Sequence, residues 1–389
     1  MKYVITEKDL DENNTYVGKT DLSNFNGDIE SEEGLGTIWF PDGLRCTGKI
    51  YFRKGSGISS AGEIRTEKGS ISAGCNLSAW DDIYSGGDIY SGGQISAGQA
   101  ILAGGDISSE WDISASEYIS AGGNILSKGR LLAGWGISSL GDISSEGRIS
   151  AKKDISSKRS ISSERGISSY GDISSEGDLS AKESISSKGS IFSEGGISSE
   201  GDISAERKIS AKKNISSNGR LLAGWGIYSE GDISSEWDIS AREDISAGGS
   251  ISSKGRLLAG WRISSCGDIS AEGGISAKES ISSEGSIFSE GGISSYGDIY
   301  SEGDIIAKHG IFSDYSIFAM GTISAERGIL SGLSIKCKNL KAGLRIFAGI
   351  TRWKTPSKVE TQIICEVFEG GEIAFGELII QPVFFERKV

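Results

Sequence analysis

Histidine and cysteine, the residues most used as bases, nucleophiles and metal ligands, are few in this 389-residue chain, and their spacing keeps them apart. The one histidine, His309 in AKHGIF, is the only imidazole available for general acid–base work, and it is read as an exposed corner residue. Five cysteines, Cys46, Cys75, Cys266, Cys337 and Cys365, are odd in number and far apart, with no CxxC or CxxxH spacing. Neither a disulfide framework nor a zinc site is signalled. Asp88, Asp106, Asn124 and Asp142 stand at every eighteenth position, which raises the idea of calcium held between stacked turns. Other columns at that spacing are mixed, however. Asp112 is followed by Arg130, and Asp238 lies between Arg220 and Arg256, so alternating charge along an edge is the simpler account. No catalytic, cofactor-binding or metal-binding residue is assigned, no cofactor is expected, and no small-molecule substrate is indicated.

Aromatic residues offer a different chemistry, that of contact with a protein partner. Trp135, Trp225 and Trp261 each follow Leu-Leu-Ala-Gly, and the steps between them are five and two times eighteen positions. Tyr84, Tyr228 and Tyr300, separated by eight and four such steps, share another face of the same repeat. These six are the candidate partner contacts. The alternative reading is that the rings cover glycine-rich corners.

The elements that must position all of these follow from one pattern. From Ile71 to Ile335 an aliphatic residue stands at every sixth position, 45 in all, and the only departures from Ile are Leu77, Leu131, Leu179, Leu221 and Leu257. Two residues after each comes Ser or Ala in 44 repeats, and Cys337 in the last. A period of six cannot follow one face of an α-helix, but it suits a short strand with inward residues at positions one and three, followed by a bend. Gly, Asp, Asn and Ser recur at positions four to six because they tolerate turn dihedrals. Three hexads close one triangular turn, so the fold expected is all-β, a single-stranded parallel β-helix (β-solenoid) with end caps. Fifteen turns at roughly 4.8 Å each make a rod of about 70 Å. One hexad cannot offset the entropy of ordering six residues by burying one Ile, so stability must come from neighbouring turns.

Three organisational units are expected: an acidic N-terminal cap (1–43), the solenoid (44–339, strict from 71 to 335), and a C-terminal β cap or small attachment domain (340–389) with a turn near Gly370 and Gly371. All three prolines, Pro41, Pro356 and Pro382, lie outside the strict repeat. The formal charge of −13 divides into −6 over residues 1–35 and −7 over the rest. That balance argues against nucleic-acid binding by counterion release and against a polybasic membrane surface. The start MKYVITEKDLDENNT lacks an apolar h-region and no run of about 18 apolar residues follows, so a cytoplasmic location is expected, with inclusion in a virion or release by lysis left open.

The hexad resembles that of hexapeptide acyltransferases, whose family fold is a left-handed β-helix and whose chemistry uses a His beside a protruding loop. Here the small residue follows the aliphatic, as in Ile107-Ser108-Ser109, and the position two before an aliphatic holds residues such as Trp111, Trp135 and Arg165. The recurring Gly-Asp-Ile at 141–143, 171–173, 201–203 and 231–233 is similar to the bactofilins, which implies a parallel β-helix that polymerises end to end as a cytoskeletal scaffold. The hand of the helix stays open. Residues 181–199 recur at 277–295 with one change, Lys188 against Glu284, an offset of sixteen hexads, or five turns plus one hexad. Duplication that rotates a block onto another face preserves the hexad rather than any one surface. The function expected is therefore non-enzymatic: a rigid structural solenoid that self-assembles or presents its terminal segments. The alternative is a module that binds or sequesters a protein through outward aromatics, and a remote alternative, implied by the first resemblance, is a hexapeptide-type acyltransferase.

Overall fold

The computed structural model describes residues 1–383; the last six residues of the expected C-terminal unit lie outside the described residues. The chain divides into two compact units, one ending at Gly195 and one beginning at Gly196. Both are all-β and built largely from three-residue strands joined by three-residue bends. In these strands the first and third residues are buried and the second faces out, as in Ile113–Ala115 and Ile239–Ala241; in Ile101–Ala103 the third residue is only partly buried. The solenoid expected from the hexad is the fold observed, with three hexads to each turn.

In the first unit, three lanes of parallel strands run in register. Ile89 pairs with Ile71 and Ile107, Ile95 with Leu77 and Ile113, and Ile101 with Ile83 and Ile119. The backbone repeats the same bonds each turn. The amide of each inward aliphatic donates to the carbonyl just before the next aliphatic in its lane, as Ile107 N to Asn124 O at 2.8 Å. Towards the N-terminus the turns lengthen. Ile29, Ile50 and Ile71 are successive partners, so each of these turns holds three more residues than the turn from Ile71 to Ile89. Strands Lys2–Ile5, Asp28–Ser31 and Gly36–Phe40, from the segment assigned to the acidic cap, already belong to this ladder. The amides of Tyr16 and Phe25 donate to the carbonyls of Trp39 and Arg45, both at 2.9 Å, so the chain before residue 26 lies over the first strands of two lanes. Aromatic rings fill this end, with Phe40 against Tyr16 at 5.6 Å and Phe52 at 6.0 Å.

The second unit repeats the ladder from Ile197–Ser199 onward and changes after Ile335. Asn339–Ala348 is a ten-residue strand that pairs with Thr322–Ala325 through its first half and with Ile329–Ser331 through its second. Val367–Phe375 lies parallel on it, and Glu377–Ile380 lies parallel on Gln362–Cys365. The turn expected at Gly370 and Gly371 is absent; both sit inside Val367–Phe375 with φ of 151° and 113°. The physical reason is visible in the register. This strand bends over two faces, as its partner does, and glycine allows the positive φ that the bend requires without reversing the chain.

Candidate functional site

Two side-chain ladders explain the residue types at the corners. At position three, the buried Ser hydroxyl donates to a carbonyl one turn back and accepts an amide from two residues on, as Ser109 Oγ to Gly93 O at 2.6 Å and Trp111 N to Ser109 Oγ at 3.1 Å. Where Ala takes the slot, the amide two residues on reaches the equivalent carbonyl directly, as Glu117 N to Gln99 O at 3.0 Å. Ser and Ala alternate freely because either choice leaves that carbonyl bonded. At position six, Asp, Asn or Ser caps the amide of the residue one turn later. Asp88 Oδ1 accepts from Asp106 N, Asp106 Oδ1 from Asn124 N, and Asn124 Oδ1 from Asp142 N, at 2.9, 2.6 and 2.8 Å. One oxygen of each of these side chains, Oδ1, thus serves as an amide cap. Among the described residues no group of three or more His, Cys, Asp or Glu side chains forms a metal cluster.

Within each unit the candidate aromatic residues are placed against neighbours in adjacent turns. In the first unit, Trp135 packs edge-on to Tyr118 at 5.1 Å with the Lys153 ammonium 4.8 Å from its ring, and Tyr84 carries the Arg65 guanidinium at 4.4 Å. In the second, Arg207 faces Trp225 and Lys208 faces Tyr228, at 5.7 and 4.5 Å. Trp261 follows Trp225 two turns on with Glu243 between them, and Tyr300 stacks on Phe318 at 5.1 Å and 7°. Two isolated glycines at position six are covered by such rings, whereas Gly166 has the Arg148 and Glu183 side chains beside it. A Cβ on Gly136 would sit 3.5 Å from the Tyr118 ring, and one on Gly226 would meet Tyr228 at 2.3 Å.

One surface in the second unit lacks such a cover. Gly274, Gly292, Gly310 and Gly328 fall one turn apart at position six and floor a trough of about 470 Å³, walled by Leu258, Phe312, Leu330 and Phe347. Other columns carry Asp, Ser or Arg at this position; here a Cβ on Gly292 would lie 3.1 Å from Gly310 O, a tight contact. Sequence reasoning passed over the trough, although its signal, glycine at four successive turns beside outward apolar residues, is in the chain.

His309 is exposed at this edge, its amide bonded to Gly291 O at 3.0 Å. Cys46, Cys337 and Cys365 fill the small inward slot, and burial pushes the Cys337 thiol up to about 12. No described helix is long and apolar enough to cross a membrane. Comparison with known proteins finds no matching family model, curated protein or solved structure, so the two family resemblances rest on the hexad alone.

Proposed function

We propose that this chain is a non-enzymatic structural solenoid, a stiff cytoplasmic scaffold of hexapeptide-type repeats that self-assembles or presents its terminal segments, as its likeness to the bactofilins implies. The observation that carries the reading is how polar residues are used. Buried Ser hydroxyls and position-six Asp and Asn oxygens are repeatedly engaged in joining one turn to the next, as at Ser109, Ser127 and Asp106. Polar groups so engaged stiffen a ladder and are withdrawn from chemistry. A second reading, a protein-binding module, is favoured by the open apolar trough over Gly274 to Gly328. Electron microscopy of the purified chain with sedimentation velocity separates the two. Filaments or end-to-end oligomers are expected for the scaffold. A monodisperse monomer at all concentrations overturns self-assembly and leaves the binding module as the better account.

A further inference from the structure

Arginine at position six follows a rule in this chain, with one exception. Arg130, Arg220, Arg256 and Arg262 each stand one turn after an aspartate, and each pairs with it: Asp112 at 2.7 Å, Asp202 at 3.2 Å, Asp238 and Asp244 both at 3.1 Å. In every case the aspartate also caps the arginine's own amide, as Asp112 Oδ1 does for Arg130 N at 2.7 Å. Arg148 breaks the rule because the residue one turn before it is Arg130. Two guanidinium groups therefore share one column in adjacent turns, an arrangement that like-charge repulsion disfavours.

The amide of Arg148 also loses its cap, since Arg130 offers no acceptor, and among the described residues no protein group accepts from it. The nearest carboxylate to the Arg148 guanidinium is that of Glu183, at 3.9 Å, the limit of an ion pair. In the next turn, at position five beside Gly166, is Arg165, which has no ion-pair partner among the described residues.

These groups surround a cavity of about 670 Å³ lined by Lys128, Arg130, Arg148 and Arg165, with Glu146 the single carboxylate in its wall and Leu132 and Ser150 on its floor. Four cations against one carboxylate leave the lining at +3 in a chain whose formal charge is −13. Two of the four are already held in place. Lys128 is bonded to Glu110, and Arg130 is fixed by two side-chain bonds to Asp112. Arg148 and Arg165 are left to supply the attraction. Arginine's planar fork matches the oxygens of phosphate and sulfate, and an unbonded backbone amide adds a further donor to such an anion.

We propose that this cavity binds a multiply charged tetrahedral oxyanion, a phosphate or sulfate group, held between Arg148 and Arg165 and seated against the Arg148 amide. An anion there takes the place of the missing position-six aspartate: it neutralises the second guanidinium of the column and accepts from the uncapped amide. The group is either free in solution or an ester on a sulfated glycan chain.

The test is isothermal titration of the full chain with inorganic phosphate, inorganic sulfate and heparin at constant ionic strength. The same titrations are run on the Arg148→Gln/Arg165→Gln variant and on Arg220→Gln, which removes an arginine already paired with Asp202. Saturable binding of the inorganic anions, weakened about tenfold or more in the double variant and unchanged in Arg220→Gln, supports a site for the free anion. Binding of heparin alone, with the same dependence on the two arginines, supports a sulfated glycan as the source. No saturable binding of any of the three, or binding that the double variant leaves intact, overturns the proposal. Should the double variant lose its β-sheet circular dichroism, the single Arg165→Gln change, which breaks no ion pair, provides the same reading.

Discussion

Single residues in this chain act mainly as connectors between turns, and Asp112 shows the energetics. Its carboxylate bonds to the Arg130 side chain and caps the Arg130 amide, and these contacts hold its pKa below the ordinary carboxylate range. Asp238 is lowered in the same way by the Arg256 amide and guanidinium. A carboxylate depressed in the folded state contributes stability that is present above its unfolded pKa, about 3.9, and lost as pH falls through the folded value. Acid destabilisation is therefore expected to begin below about pH 4. Asp112→Asn keeps an oxygen for the Arg130 amide but removes the charge. Because the pair is largely exposed, the change should cost about 1 kcal/mol or less at pH 7. Urea unfolding of both proteins at pH 7 and at pH 3 checks this; a gap that narrows at pH 3 is expected, and one that widens contradicts the assignment.

At the scale of the strand, the unit of stability is an inward Ile touching its partners one turn above and below. Ile143 is fully buried, between Ile125 and Ile161 in its lane. Ile143→Ala should cost about 2–5 kcal/mol, the usual loss for a buried Ile, because the ladder on either side holds the cavity open. Ile143→Val should cost about 0.5–1.5 kcal/mol. Equilibrium denaturation of both variants measures the two losses; equal losses would mean that the site relaxes and the core is not close-packed. The strands themselves were legible in the sequence because a six-residue period admits few other structures. The lengthened turns between Ile29 and Ile71 were less so, since extra corner residues leave the inward residues unchanged in type and shift only their spacing. Gly370 and Gly371 misled for a physical reason: glycine permits both a chain reversal and a bent strand, and only the partner strand Asn339–Ala348 decides between them. The apolar trough and the arginine cavity were equally hidden, because each depends on which residues stack in successive turns rather than on any local motif.

For the molecule as a whole, stability in a repeat array is a sum of turn and interface terms, and in each unit the turns of the strict repeat meet their neighbours through the same in-register bonds. Turns are therefore interchangeable, and side-chain columns rather than a unique core hold them together. The charges follow the same pattern, with Lys and Glu recurring one turn apart as ion pairs at Glu110 and Lys128, Glu164 and Lys182, and Glu290 and Lys308. The most direct test is to excise one turn, residues 269–286, which leaves Asp268 to cap the amide of Asp304 and Lys254 to face Glu290. Thermal unfolding followed by circular dichroism should remain cooperative, with the melting temperature within about 5 °C of the parent. Loss of the cooperative transition, or a fall of about 20 °C or more, would show that the turns are not interchangeable and would contradict the account.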